Sequence, residues 1–313
     1  MFNRDDVGDC GQCHPLIVIG STYITQQWGI RSPTIGPEGL IGRLSSDTVS
    51  GSGAVVATIY SKLSKRPTRL ITVIGRDAAA QRVRQWSAMM PFDLIPTVVA
   101  ARTGRQCKVV SGDGQVLHRI IDNSSNLLLS EPMVQANVHK WTGSVCVSLD
   151  MGTNTLETVV AHAGSFANFY ILGSGTLISN YRLLSVATIL FLEKPHLEIL
   201  WGKPIRSEND LSSALPVIAQ LGVSTICVYL SKHLLVLYHN HKVSWFGTDV
   251  FQDIKELRDS RFDLFAAATI TLVESGLSIA SALDAIVADN KTGDGDAIYL
   301  DDAEWLRDFA LHD

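Results

Sequence analysis

Three short runs in this 313-residue chain bring together side chains and turns of the kinds that do chemistry. In the first, Ser260-Arg261-Phe262-Asp263-Leu264-Phe265 leads into an apolar helix, and Gly276-Leu277-Ser278-Ile279-Ala280-Ser281-Ala282-Leu283 follows it. A carboxylate in the first turn of a helix sits where the helix dipole favours negative charge by ~0.3–1 kcal/mol, so Asp263 is also an ordinary structural choice there. In the second, Cys10-Gly11-Gln12-Cys13-His14 matches the attachment pattern of a c-type haem, with thioether bonds to both sulfurs and the histidine as axial ligand. His14 runs straight into Pro15 and a strand, and residues 1–14 read instead as a disordered N-terminal extension. The third, Thr292-Gly293-Asp294-Gly295-Asp296-Ala297, has the composition of a surface turn. It lacks the spacing and the closing glutamate of a calcium loop.

The elements that position these residues must come from a chain that is 46% hydrophobic, enough for one large core with at most a small appendage. Net charge is −5 with 18% charged residues, which gives no basic footprint for nucleic acid or acidic lipid. The apolar run at 183–192 is interrupted by Ser185 and Thr188 and is too short for a bilayer, which needs roughly 20 residues. Asp5, Asp6 and Asp9 give the N-terminus none of the character of a secretory signal, so the cytoplasm is the expected compartment. Five cysteines, an odd number, suit reduced thiols better than a disulfide framework.

Apolar runs bounded by turn residues alternate with helical patterns, which predicts an α/β domain with a mostly parallel sheet. Strands are expected at 16–20, 70–75, 144–149, 169–172, 189–192 and 225–230, and helices at 53–63, 77–89 and 208–221, the last stopped by Gly222. Two regions break the alternation. Residues 22–47 carry glycines and prolines without helical pattern. Within 97–121, two strand-like runs flank Gly112-Asp113-Gly114, whose Asp-Gly supplies the positive-φ residues of a tight hairpin. No repeat or linker divides the rest, so residues 15–313 are expected as one domain with these two segments as an appendage.

The runs at 260–265 and 276–283 resemble the end of the ribokinase-like (PfkB) sugar and nucleoside kinases, where G-A-G-D-A-F opens a long helix and G-L-S-x-x-x-A-L the next. Gly75-Arg76-Asp77, Lys194-Pro195 and Leu221-Gly222-Val223 with Cys227-Val228 match further family motifs in the family's order, over about residues 15 to 310. The resemblance implies a three-layer sandwich around a central, mostly parallel sheet, with a small β lid made by the segments near 22–47 and 97–121. It also implies transfer of the ATP γ-phosphate to a substrate hydroxymethyl group, with ATP and Mg²⁺ as cofactors, a small sugar or nucleoside as partner, and a homodimer through the lid. In the family, the long helix must follow the glycine loop. The chain ends too soon after Asp296 for the run at 292–297 to take that place.

Matching the family residue by residue makes Asp263 the general base that accepts the acceptor hydroxyl's proton. Ser260, Arg261 and Phe262 stand where the family's turn has Gly, Ala and Gly, whose backbone N–H groups hold phosphate. The side of the nucleotide is further implied at Lys194 and at Ser231, the latter where the family has the glycine of T-x-G. Substrate contacts are implied at Thr25, in place of an aspartate, and at Gly51 and Val55, which fall on the family's di-glycine and asparagine positions. Metal organisation is implied at Glu198, one residue early relative to N-x-x-E. His196 has no second ligand at suitable spacing. A hydroxyl at 25, a valine at 55 and bulky residues at 260–262 and 232–235 remove groups that the reaction uses. The expectation is therefore a diverged kinase homologue with weak or absent catalysis; the alternative is a non-catalytic scaffold for ligand sensing or protein interaction. A nicotinamide dehydrogenase is disfavoured, because 20–24 lacks the G-x-G-x-x-G turn after the first strand.

Overall fold

The computed structural model describes residues 14–30, 41–112, 116–173, 181–231, 234–247 and 261–292. The Cys10–Cys13 pair, Ser260 and the Gly-Asp run from 293 onward lie outside the described residues. In chain order the elements begin with β1 (Leu16–Ile19), β2 (Tyr23–Ile30), β3 (Gly42–Ser50), α1 (Ser52–Ser64), β4 (Thr68–Ile74), α2 (Ala78–Ser87) and β5 (Asp93–Val98). They continue with β6 (Arg105–Val110), β7 (Val116–Asp122), α3 (Glu131–Val138), β8 (Ser144–Ser148), α4 (Thr153–Val160), β9 (Phe169–Gly173), β10 (Ile189–Glu193) and α5 (Lys194–Trp201). The last are α6 (Glu208–Ala219), β11 (Thr225–Ser231), β12 (Leu234–His239), β13 (Lys242–Gly247), α7 (Arg261–Glu274) and α8 (Ile279–Thr292).

Strands such as Leu16–Ile19 and Ile189–Glu193 bury every residue, which requires cover on both faces. They form the middle of a nine-stranded sheet of order β13-β12-β11-β10-β9-β8-β1-β4-β5. From β11 to β5 all neighbours are parallel, and only the β11-β12-β13 end is antiparallel. One face packs Ile17, Ile19, Val145 and Leu190 against Leu156, Leu197 and Leu215 of α4, α5 and α6. The other packs Val18, Tyr170 and Phe191 against α1, α7 and α8 through Tyr60, Phe265 and Ile286. The molecule thus has the mostly parallel α/β sheet that the apolar runs imply and the three layers that the family resemblance implies.

A second sheet of four strands, β3-β2-β6-β7, stands apart from the main one. Its β6 and β7 pair antiparallel as a hairpin, while the Asp113-Gly114 turn expected between them lies outside the described residues. Residues 93–98 belong elsewhere: they pair with β4 as the edge of the main sheet, so this half of the lid starts only at Arg105. Asp77 ties the two sheets together. It caps α2 through the Ala80 N–H at 3.0 Å and accepts from the Thr103 hydroxyl at 2.6 Å, just ahead of β6.

At the opposite end of α7 from Asp263, the buried Glu274 accepts hydrogen bonds from Tyr170 (2.7 Å), Asn168 (3.0 Å) and the Ser144 hydroxyl. The backbone N–H of His14 reaches its other oxygen at 3.3 Å. This fixes the axis of α7 against β8 and β9. Among the described residues no helix is long and apolar enough to cross a membrane.

Candidate active site

In an open α/β sheet the loops at the carboxyl ends of the strands form the crevice where ligands bind. Ser21 and Thr22 follow β1, Asp150 follows β8, Lys194 follows β10 and Ser231 ends β11, all on that edge. The register pairs Glu193 with Tyr229, so Lys194 and Ser231 close two adjacent strands side by side.

Close approach of α1 to this edge depends on two glycines. A Cβ on Gly53 would lie 2.7 Å from the Gly20 carbonyl carbon, so only bare backbones can meet there. Gly51 takes φ of 112°, open to glycine, and starts the helix. Position 50, where the family has its other glycine, carries a serine whose hydroxyl meets that of Thr25. The halved di-glycine therefore keeps the member whose backbone requires glycine. The contact brings Ser52, at the start of α1, within hydrogen-bonding reach of the Asp263 carboxyl.

Asp263 lies in the first turn of α7 and is partly buried, with Oδ1 enclosed and without a hydrogen-bond partner. Burial pushes its pKa up to about 7. The Ser52 hydrogen bond opposes that rise, the nearby Asp150 adds to it, and Arg119 and Lys108 of the lid oppose it from farther off. Asp150, 3% exposed, is itself held above the usual carboxylate range by burial, against hydrogen bonds that include those of Ser148 and Tyr23. The Tyr23 phenol donates to Asp150 Oδ2 at 2.9 Å and is raised well above its ordinary value, first by burial and then by Asp150. Asp263, beside a second carboxyl that burial also raises, is therefore able to take up and release a proton near neutrality.

The lid contributes a chain of polar groups. With the Gln106 amide oriented to satisfy both neighbours, its nitrogen donates to Thr25 Oγ1 at 3.2 Å. Its oxygen accepts from Arg119 Nε and Nη2 at 2.6 and 2.7 Å. Thr25 thus carries a buried link between β2, β3 and the hairpin.

The other residues singled out from sequence fall as follows. Arg261 is the first residue of α7. Phe262 is 3% exposed and packs in the core beside Tyr229, ring centroids 6.5 Å apart. Val55, in the first turn of α1, packs partly buried against the same core. Lys194 and Glu198 are one helical turn apart at 4.0 Å, and Glu198 accepts the Ile205 N–H at 2.8 Å, which fastens the loop after α5. His196 lies 3.6 Å from Glu193. Among the described residues no group of three side chains is arranged to hold a metal ion.

Sequence reasoning passed over Asp150, Tyr23, Ser52, Gln106, Lys108 and Arg119. Asp150 had a legible signal, an acid directly after an apolar strand of a parallel sheet. The lid residues had none, because strand alternation alone does not say which face looks onto the cleft.

The large, mostly parallel sheet with helices on both faces, a detached β lid and a carboxylate at the N-terminal turn of α7 define a ribokinase-like α/β protein. The chain belongs to the pfkB family of carbohydrate kinases: residues 18–246 match the family described as pfkB family carbohydrate kinase. A ribokinase from Thermotoga maritima superposes with a TM-score of 0.70 at 18% identity, over 88% of this chain and 91% of that one. The Arabidopsis thaliana ribokinase complexed with ribose and ATP gives 0.66 at 19%, over 88% and 91%. The Cryptococcus neoformans ribokinase in complex with ADP gives 0.70 at 16%, over 88% and 92%. No curated protein matches this sequence.

Proposed function

We propose that this protein is a diverged sugar or nucleoside kinase that moves the γ-phosphate of ATP onto a ligand hydroxymethyl group, and does so slowly. The observation that carries this reading is Asp263: a carboxyl at a helix start, beneath a lid, with its pKa pushed up to about 7. As a base it takes the proton of the attacking hydroxyl while the oxygen bonds to phosphorus and ADP departs. Asp150 and Tyr23 orient ligand hydroxyls, and Thr25 and Gln106 hold the lid strands that cover them. Lys194 and the strand end at Ser231 form the nucleotide side, and the first N–H groups of α7, which begins at Arg261, attract its phosphates. Glu198, one turn into α5 from Glu193, is an acidic side chain this region would offer to Mg²⁺, which otherwise binds mainly through phosphates and water. The ribose, ATP and ADP held by the two ribokinases above suit the same ligand classes.

Slow chemistry follows from the turn before Asp263. Removing one donor of a preorganised anion site typically costs ~10²–10³ in rate, and here residues 260–262 replace the family's glycine-rich turn. Phe262 also favours a second reading, a non-catalytic ligand-sensing or interaction scaffold, because its side chain has become part of the core.

Thermal shift with ATP–Mg²⁺ and with pentoses, hexoses and nucleosides, followed by assay of ADP release, separates the two. The kinase reading expects a sugar-dependent shift and sugar-dependent ATP turnover that Asp263→Asn lowers by ~10²-fold or more. Absence of both ATP binding and turnover leaves the scaffold.

A further inference from the structure

The strand order of the main sheet reverses between β1 and β8. From β1 the sheet is extended through β4 and β5 on one side, and from β8 through β9, β10 and β11 on the other. In open α/β sheets the crevice outside the carboxyl ends of the two strands at such a reversal is where ligands bind. Here it is bounded by Ser21, Thr22 and Tyr23 after β1 and by Asp150 after β8. All four are buried, from 0% exposed at Ser21 to 7% at Tyr23.

A hydroxyl of the chain itself spans this crevice. Tyr23 donates its phenol to Asp150 Oδ2 at 2.9 Å, and the ring lies within electrostatic reach of Asp263. The ring has a fitted place, since a Cβ on Gly104, just ahead of β6, would lie 2.9 Å from Tyr23 Cδ1. Asn123, just after β7, donates its amide to the Asp150 carbonyl at 3.2 Å. The roots of β2, β6 and β7 of the lid therefore gather around one residue of the main sheet. A polyol offers a carboxyl the same O–H donor that a phenol does. Ligand and Tyr23 thus compete for one acceptor, and the phenol competes from a fixed position, with no freedom of association to lose.

We propose that Tyr23 is the residue that limits ligand entry to this cleft: its phenol holds Asp150 in place of a ligand hydroxyl, and a neutral polyol reaches that carboxyl only by displacing it. This rests on the kinase reading only for the ligand's being a polyol. In the ligand-bound arrangement the displaced phenol donates to the ligand instead, so the bond that fastens the lid root is exchanged for one that runs through the ligand.

The test is titration calorimetry on the full chain without nucleotide, with ribose, glucose and adenosine as probes, comparing the wild type with Tyr23→Phe and Tyr23→Ala. Tyr23→Phe keeps the ring and removes only the competing donor. It should bind at least one probe about tenfold more tightly than the wild type does, the worth of a buried hydrogen bond to a carboxyl group. Tyr23→Ala also empties the place of the ring and should bind the same probe at least as tightly as Tyr23→Phe. Adding the near-isosteric Asp150→Asn to Tyr23→Phe should abolish the gain, because the carboxyl released by the phenol is then missing. Equal affinity in the wild type and both variants, weaker binding in Tyr23→Phe, a gain that survives Asp150→Asn, or no binding of any probe would each overturn the proposal. Loss of the kinase reading would appear differently, as absent ATP turnover in variants whose sugar binding has risen.

Discussion

The hydroxyl of Tyr23 donates a 2.9 Å hydrogen bond to Oδ2 of Asp150, joining the first strand of the lid to the carboxyl end of β8. The two residues are 127 positions apart, and the bond is buried. It closes the floor of the cleft against its cover, so the lid is held by a buried acid at the carboxyl edge of the main sheet.

Tyr23→Phe removes that donor and leaves a buried carboxyl short of a partner, at an expected cost of ~1–3 kcal/mol. Urea unfolding should show a lower midpoint with an unchanged slope. An unaltered midpoint would mean that the bond does not hold the lid.

Asp263 makes stability depend on pH with a definite sign. Its folded pKa of about 7 exceeds the unfolded value of roughly 3.9, so between these pH values the native state binds more protons than the unfolded one. Stability from this group is complete below about pH 4 and declines as pH rises through about 7, by on the order of 1 kcal/mol per unit. Asp150, also raised, acts in the same direction. Asp263→Asn should therefore gain on the wild type as pH increases from about 4 to about 7, with a constant difference beyond. A difference that stays flat across this range would refute the raised pKa.

Catalysis should follow the same group in the opposite sense, since a base works only when deprotonated. Where sugar-dependent turnover is measured, kcat/KM should climb with pH and level off above about 7. A profile independent of pH over roughly two units either side of about 7 would remove Asp263 from the role.

Gly53→Ala places a methyl 2.7 Å from the Gly20 carbonyl carbon, and both partners are backbone. Displacement of α1 should cost ~1–3 kcal/mol and carry Ser52 away from Asp263. Thermal denaturation measures the first effect. The second predicts a larger loss in kcat than in KM.

Phe262→Gly restores the glycine that the family carries before its aspartate, yet it should not restore a phosphate cradle. Phe262 is packed among Tyr229 and Phe265, and emptying its site should cost ~3–5 kcal/mol, as for other buried aromatics. A stable variant with raised turnover would show that the ring, rather than the rebuilt turn, is what limits phosphate binding.

Much of the scaffold was open to reading along the chain, because it rests on local rules. Leu16–Ile19 and Ile189–Glu193 are unbroken apolar runs that no element with a wet face could use. The helix expected to halt at Gly222 ends at Ala219, and Gly222 takes φ of 108° just beyond. The Asp-Gly hairpin and the acid in the first turn of α7 are local signals of the same sort. The β12–β13 ribbon escaped notice because its apolar run, Leu234–His239, lacks an alternating wet face on which a hairpin would be recognised.

The sequence by itself thus determined the layers, the order of the strands' chemistry and the place of Asp263 at a helix start. Only the tertiary structure decided what that carboxyl meets. Sheet order sets β8 beside β1 and folds the lid hairpin over their ends, which brings Asp150, Tyr23, Lys108 and Arg119 to one cleft from separate stretches of chain. Periodicity fixes which face a side chain occupies, but it carries no information about which distant face will be laid against it. The proton affinity of Asp263 depends on those distant neighbours and on the water they exclude.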